Sequence, residues 1–201
     1  MKNSLLVVAA VLLFAAAASA QVSSPVSLYV GGAVSLPQSP ESFSETYKVG
    51  FHGSVGLGYK LMPSLQVVGK VEYHRFAVDF ESNPALAAEE ISGGHNNLLM
   101  YGADTRLGLN VPAFPLKPYL LGGIGFARLS ATEFDGSSSL VTSLNDAQTE
   151  AQTKFYYNVG AGIALSSGPL FGLFAQVRYV SVATDEESSS FVPITLGLKF
   201  F

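Results

Sequence analysis

The sequence predicts a single all-β domain, an eight-stranded antiparallel up-and-down transmembrane β-barrel. Eight segments of about 10 to 14 residues alternate apolar and polar side chains, the pattern of a membrane barrel. The connections between these segments are alternately long and short. Finally, 48% of the 201 residues are hydrophobic, yet no apolar run after residue 20 reaches the length of a transmembrane helix.

The first twenty residues differ from the rest of the chain. Lys2 gives a positive start, an apolar run covers 5–18, and Ala18-Ser19-Ala20 places small residues before Gln21. This pattern is typical of a cleaved secretory signal peptide. We therefore expect residues 1–20 to be removed and the barrel to occupy 21–201.

The charge of the remaining chain excludes one class of function. Without Lys2 there are ten basic and fifteen acidic residues, a net charge of about −5. A nucleic-acid-binding domain carries a basic face, so nucleic acid is not an expected partner. The chain has no Cys, so its stability cannot come from disulfides.

The strands are predicted from a period of two, since successive side chains of a strand point to opposite faces. Alternation is clearest in the sixth segment, where Phe155, Tyr157 and Val159 oppose Lys154 and Asn158. The predicted strands are 25–35, 47–60, 65–78, 96–110, 117–130, 153–166, 170–182 and 191–201.

In two of the eight segments the alternation of apolar and polar side chains is weak, and in a third segment one residue departs from it. Gly31 and Gly32 blur the first segment. In the fifth, 117–130, the apolar residues Leu120, Leu121, Ile124 and Phe126 do not keep one phase. In the seventh segment, Phe174 is a large apolar residue on the otherwise polar face.

The connections predict which end of the barrel faces outward. Short turns are expected at 61–64, around Pro112 and Pro115, and at 167–169. The long links are 36–46, 79–95, 131–152 and 184–190. Membrane barrels have short periplasmic turns and long outer loops, so we expect periplasmic termini and extracellular long links.

The polar face predicts a filled interior. An eight-stranded barrel is just wide enough for side chains to fill it. We expect Glu72 and Asp104 to form ion pairs with Lys70, Arg106 and Arg178, because buried charges must be paired. The alternative to a filled interior is a narrow pore. The residues of the predicted network are Lys70, Glu72, His74, Asp104, Arg106, Lys154 and Arg178.

A soluble lipocalin-like barrel would place the charged face outside and the apolar face inside. Aromatic residues near the strand ends favour the membrane barrel, because such barrels carry aromatic girdles at both interfaces. The residues assigned to these girdles are Tyr47, Tyr59, Tyr101, Tyr119, Phe155 and Phe171.

The last segment carries a family resemblance. Val192, Ile194, Leu196, Leu198 and Phe200 alternate with other residues, and Phe201 follows. This tail resembles the C-terminal assembly signal of bacterial outer-membrane barrels, and 118–125 resembles a strand common in them. The whole mature chain is similar to the small barrels typified by outer-membrane proteins A and X.

The resemblance implies a non-enzymatic protein of the bacterial outer membrane, with an envelope-structural role and surface loops for adhesion or binding. It also implies outer-membrane lipid, lipopolysaccharide and the barrel-assembly machinery as partners, together with an extracellular ligand of unknown identity. We expect no cofactor. Because the chain stops on the last predicted strand, we also expect no periplasmic domain after the barrel.

His52 and Ser54 are the candidates for an enzymatic alternative. Two residues apart on a strand, they share a face, and a His-x-Ser pair is similar to that of outer-membrane lipid A deacylases. A base and a nucleophile need such proximity. However, the pair lies early in the chain, in the polar phase, and without a nearby acidic partner. The chain's histidines also have no metal-ligand spacing.

The acidic residues are concentrated in the long links. Thirteen of the fifteen lie in or beside them, and the other two are Glu72 and Asp104. Solubility of the loops is one interpretation. A second is an acidic outer rim that binds divalent cations and thereby bridges to lipopolysaccharide phosphates.

Overall fold

In the computed structural model, the described residues are 25–79, 92–109, 116–136, 139–146, 151–166, 170–184 and 187–201. The expected signal peptide at 1–20 lies outside them, as do parts of three long links and two of the short turns. No helix in the described ranges has both the length and the apolarity to cross a membrane.

Ten strands and two helices are present in these ranges. The helices are α1 (Glu41–Thr46) and α2 (Ser139–Asp146). The strands are β1 (Val26–Ser39), β2 (Gly50–Met62), β3 (Leu65–Phe76), β4 (Ser92–Gly93), β5 (Asn96–Gly108), β6 (Leu116–Ala131), β7 (Phe134–Asp135), β8 (Gln152–Ser166), β9 (Phe171–Val182) and β10 (Ser189–Phe200).

Eight of the strands form a closed antiparallel barrel in the order β1-β10-β9-β8-β6-β5-β3-β2. The first and last strands close it, with a register that runs from Leu28 opposite Phe200 to Ser39 opposite Ser190. Closure pairs both edges of every long strand, which a sheet in a bilayer requires because lipid offers no hydrogen bonds. The predicted fold class is confirmed.

The two ends of the barrel differ. The turn end holds the Pro63-Ser64 turn, the start of β1 and the end of β10. The loop end holds α1, α2 and the two-stranded sheet of β4 and β7. Phe43 of α1 is buried against Phe76 over the barrel mouth, with ring centroids 5.4 Å apart.

The faces of the strands follow the period of two. Phe155, Tyr157 and Val159 are exposed on the outside of β8, whereas Tyr156 and Asn158 are buried in the lumen. The outer face is a continuous apolar surface. It includes Phe51, Leu57, Val71, Leu99, Ile124, Phe126, Leu173, Val177, Leu196 and Leu198.

The fifth predicted strand, 117–130, is β6 and keeps a single phase. Leu120, Ile124 and Phe126 point outward, and Leu121 is buried in the lumen. Tyr119 is also buried inside, so its assignment to an aromatic girdle is wrong. Its hydroxyl donates to Gln176 Oε1 at 3.2 Å, a lumenal partner that a lipid-facing position at that height would not offer.

Two predicted boundaries are also wrong. Strand β1 extends to Ser39, and the link predicted at 36–46 is then mostly the helix α1. Strand β2 starts at Gly50, and Tyr47 forms an isolated bridge with Val78. Tyr47 packs against the apolar cluster of the loop end, so it is not a girdle residue either. Burial of Phe43 and Tyr47 over the mouth explains both shifts.

Candidate functional site

An ion pair crosses the middle of the lumen. Glu72 lies on β3 and Arg178 on β9, which are diametrically opposite in the strand order. Arg178 donates from Nη1 to Glu72 Oε2 at 2.9 Å and from Nη2 to Oε1 at 2.6 Å. Both side chains are almost fully buried. This bidentate geometry is the strongest that an arginine and a carboxylate adopt.

Lys70 and Asp104 complete the central network. Lys70 Nζ lies 3.1 Å from Glu72 Oε2 and 2.9 Å from Asp104 Oδ2. Asn158 Nδ2 donates to Asp104 Oδ1 at 2.9 Å. Two cations and two carboxylates leave the network neutral, and mutual attraction offsets the cost of removing each charge from water.

Two inward glycines of β6 make room for this network. A Cβ on Gly123 would collide with Asp104 Oδ1, and one on Gly125 would lie 2.7 Å from Cε1 of Tyr156. Both approaches are closer than a side chain tolerates. The small residues of β6 are therefore needed because Asp104 and Tyr156 occupy the lumen beside them.

His52 and His74 lie beside the ion network. Their rings stack with centroids 4.9 Å apart, and Ser35 Oγ lies 3.2 Å from His52 Nδ1 and 2.9 Å from His74 Nδ1. His52 Nε2 lies 3.0 Å from Thr195 Oγ1. Four strands thus contribute to one hydrogen-bonded group, in which both imidazoles are held by hydroxyls.

The pair considered for catalysis does not have catalytic geometry. His52 points into the lumen and contacts Ser35 and Thr195, while Ser54 Oγ donates to the backbone oxygen of Gly31 at 3.3 Å. A base and its nucleophile must share a hydrogen bond. In addition, the described residues contain no group of three or more side chains that could hold a metal ion.

The structure places Arg106 apart from the carboxylates, contrary to the expected pairing. Arg106 Nη2 donates to Gln176 Oε1 at 3.2 Å, and the guanidinium lies 4.2 Å from the Tyr29 ring centroid. Tyr119 and Phe174 also face it, at 5.3 and 5.6 Å. Arg106 follows Asp104 on β5 towards the turn end, and it pairs with Gln66 of β3, which is also nearer the turn end than Glu72. It therefore meets rings and an amide instead.

Lys154 is the second network residue that lies elsewhere. It is half-buried near the loop end and lines a cavity of about 350 Å³ with Tyr47, Asn96, Ser130 and Thr184. Its position in the alternation of β8 is an inward one, but it lies several residues before Asn158, the residue of β8 that contacts the ion network. Its position near the mouth explains its partial exposure.

The lumen is filled in layers. Phe76, Met100 and Tyr156 belong to an apolar cluster at the loop end, the ion network occupies the centre, and the rings around Arg106 occupy the turn end. Several lumenal polar residues outside the predicted set hold these layers together: Ser35, Asn158, Gln176 and Thr195. They share the inward phase with the charges, which is the signal that identifies them.

We expect the purified protein to show no stable conductance steps in a planar bilayer, because the Glu72–Arg178 pair spans the lumen between opposite strands. The measurement is single-channel recording, with a known porin reconstituted in the same lipid as the positive control. Reproducible steps from the wild-type protein would contradict this prediction and favour a pore.

Comparison with known proteins agrees with this architecture. Neisserial surface protein A superimposes with a TM-score of 0.63 at 19% identity, over 90% of this chain and 99% of that chain. A major outer membrane protein from Thermus thermophilus gives 0.58 at 13% identity, over 89% and 99%. At these identities the likeness shows the fold alone.

A third structure is that of Ail, the attachment invasion locus protein of Yersinia pestis, in complex with the heparin analogue sucrose octasulfate. It has a TM-score of 0.52 at 18% identity, over 87% of this chain and 96% of that chain. No curated protein sequence matches the chain.

The family is shown by the sequence itself. The model of the outer membrane protein beta-barrel domain matches residues 6–200, nearly the whole chain. The closed eight-stranded barrel, its apolar outer face and this match lead to one conclusion: the chain belongs to the outer membrane protein β-barrel domain family and is a protein of the bacterial outer membrane.

Proposed function

We propose that this barrel is a non-enzymatic outer-membrane protein that presents its loop end outside the cell for binding, while the barrel itself supports the envelope. The observation that carries the proposal is the pairing of β4 with β7, which joins the described parts of two long links at the loop end. Short turns at one end and long links at the other support an orientation with the loop end outside.

The described parts of two long links are tied together. Ser92 and Gly93 of β4 pair with Asp135 and Phe134 of β7. Asn145 of α2 then holds the same short strand, with Oδ1 accepting from Phe134 N at 2.8 Å and Nδ2 donating to Phe134 O at 3.0 Å. A surface ordered before binding loses less conformational entropy when a partner arrives, which favours a recognition role.

The charge of this surface sets the kind of partner. Thirteen of the fifteen acidic residues lie in or beside the long links. Ail has been solved with a heparin analogue, a polysulfated ligand. A strongly acidic surface repels such a polyanion and attracts cations. We therefore propose that this chain binds cationic partners, including divalent cations that bridge to lipopolysaccharide phosphates.

The outer face near the loop end supports a direct contact with lipopolysaccharide. Arg75 of β3 and Arg128 of β6 point outward and are exposed, on either side of β5. Tyr101 and Phe126 lie next to them on the same face, with ring centroids 6.0 Å apart. Guanidinium groups bind phosphates in a bidentate manner, and aromatic rings mark the membrane interface.

The test displays the protein on intact cells and measures binding of a labelled oligo-lysine peptide and of labelled heparin. We expect several-fold more peptide bound than on cells without the protein, and no gain in heparin. A variant with Glu133→Gln, Asp135→Asn, Asp146→Asn and Glu150→Gln should lose part of the peptide signal.

Protease treatment of the same intact cells is the control for orientation. Cleavage in 79–95 or 131–152 should remove the peptide signal while the barrel strands stay protected. A gain in heparin binding, or cleavage only after the outer membrane is opened, would refute the proposed role of the loop end.

A further inference from the structure

The charged side chains that the structure describes at the turn end are all basic. Lys60, Arg106, Lys117 and Lys199 line one cavity of about 190 Å³ at the barrel mouth, which we call the basic vestibule. The described residues that line this cavity include no Asp or Glu. Four positive side chains therefore share the cavity, and no acidic side chain in its described lining balances them.

Arg106 is buried without a carboxylate. It is 7% exposed, and its Nε has no hydrogen-bond partner. Among the described residues, its polar contacts are the amide of Gln176 and the hydroxyl of Tyr29, and the rings of Tyr29 and Phe174 lie beside the guanidinium. The Nε of Arg178 also lacks a partner, but the two Nη atoms of Arg178 donate to a bidentate carboxylate, which Arg106 does not have. A buried guanidinium without a counter-ion is costly, so the site favours an anion that enters from outside.

The three lysines surround the opening. Lys199 is half-buried, with Nζ 5.7 Å from the Tyr29 ring centroid and 4.3 Å from that of Phe201. Lys60 and Lys117 are exposed at the rim of the same cavity. Positive charges gathered in one cleft repel each other and focus a positive potential, which an entering anion relieves.

The size and surroundings of the vestibule indicate the chemistry of the ligand. A cavity of about 190 Å³ is smaller than a site for a drug-sized molecule and is suited to a small anionic group. Arginine and lysine together are the usual phosphate ligands in proteins. We propose that the basic vestibule binds a phosphate group.

Two sources could supply this phosphate: the headgroup of a membrane phospholipid or a soluble periplasmic phosphate ester. A groove of about 340 Å³ on the outer face contains Ile163 and Leu196 and shares Leu165, Leu173 and Phe174 with the vestibule. Leu173 and Leu196 are exposed on the lipid side. An acyl chain in this groove would bring its headgroup to the rim, which favours the lipid.

The experiment uses the mature protein in a phosphate-free maltoside detergent. Native mass spectrometry measures binding of phosphatidylglycerol, and calorimetry measures binding of glycerol 1-phosphate, a soluble phosphate monoester that contains a glycerol phosphate group but no acyl chains. The vestibule variant is Lys60→Gln/Lys117→Gln/Lys199→Gln, which leaves the buried Arg106 in place. The control removes cations at the loop end to which no phosphate contact is assigned, as Lys48→Gln/Lys154→Gln.

We expect the vestibule variant to lose at least about tenfold in affinity, the control to lose much less, and salt to weaken the wild-type interaction. Binding of the lipid alone assigns the membrane source, and binding of glycerol 1-phosphate assigns the soluble one. If neither probe binds the wild type, or if both variants lose affinity equally, the proposal is overturned. The mobility of unheated samples on a denaturing gel verifies that each variant is folded.

Discussion

Replacing Glu72 by Gln is expected to lower the free energy of unfolding by about 3–5 kcal/mol, the usual cost of removing one partner from a buried ion network. Glu72 neutralises both Arg178, at 2.6 and 2.9 Å, and Lys70, at 3.1 Å. In the variant, two buried cations would face the single carboxylate of Asp104. The network would carry an uncompensated positive charge in the middle of the lumen.

A second substitution should distinguish lost charge balance from lost packing. In Glu72→Gln/Lys70→Met, one buried cation is removed together with the carboxylate, and the pair of Arg178 and Asp104 restores neutrality. We expect the double variant to recover part of the lost free energy, since residues in one network are coupled. Glu133→Gln is the control for loss of an exposed acid, and it should stay within about 0.5 kcal/mol of the wild type.

Urea unfolding of the refolded protein in lipid vesicles measures these differences, with circular dichroism as the signal because the chain has no Trp. A loss below about 1 kcal/mol in Glu72→Gln would contradict the structural role of the pair. Equal stability of the single and double variants would show that charge balance is not the cause.

The face of each charged residue can be predicted from the sequence, but its partner cannot. Period-two alternation places Lys70, Glu72, Asp104 and Arg178 on one face whatever their neighbours are. Which of them meet across the lumen depends on the tilt and stagger of the strands, which bring non-adjacent strands into contact. Arg106 has the same phase as Arg178, yet it lies beside Gln176 and three aromatic rings.

Apolar residues on the inner face are a second feature that the alternation of the sequence does not predict. Apolar side chains are expected to face lipid. Phe174 therefore is an exception on the polar face of its strand, and Leu121 leaves open which face of β6 is the outer one. In the structure, Phe174 packs edge-on against Tyr29 at 5.6 Å and forms the turn-end layer around Arg106. An eight-stranded lumen is a packed core, so it accepts large apolar residues wherever the polar groups are already paired.

The structure within the links is a third feature that the sequence does not predict. Their lengths predict the topology, but the helix α1 over the mouth and the pairing of β4 with β7 leave no periodic pattern. The contact between Ser92 and Asp135 joins two links that are far apart in sequence. Pairs this short are set by the positions of the strands that hold them rather than by local propensity.

Replacing Ile124 by Arg is expected to lower the free energy of unfolding by about 2–4 kcal/mol. Ile124 lies at the middle of β6 on the outer face, which corresponds to the midplane of the bilayer. Ile124 is 60% exposed at the barrel surface. For a residue this exposed in water, the same substitution would change the free energy of unfolding by less than about 0.5 kcal/mol. The size of the loss in free energy of unfolding therefore shows whether lipid or water covers the outer face.

Leu61 offers a matched control, since it is 54% exposed but lies near the end of β2 at the turn end. Arginine near an interface can extend its guanidinium to water, so Leu61→Arg should cost about 0–1 kcal/mol. Both variants are refolded into the same vesicles and unfolded with urea. Equal and small losses at the two positions would place the apolar face in water and return the soluble barrel to consideration. A loss confined to Ile124 would locate the membrane midplane at the centre of β6.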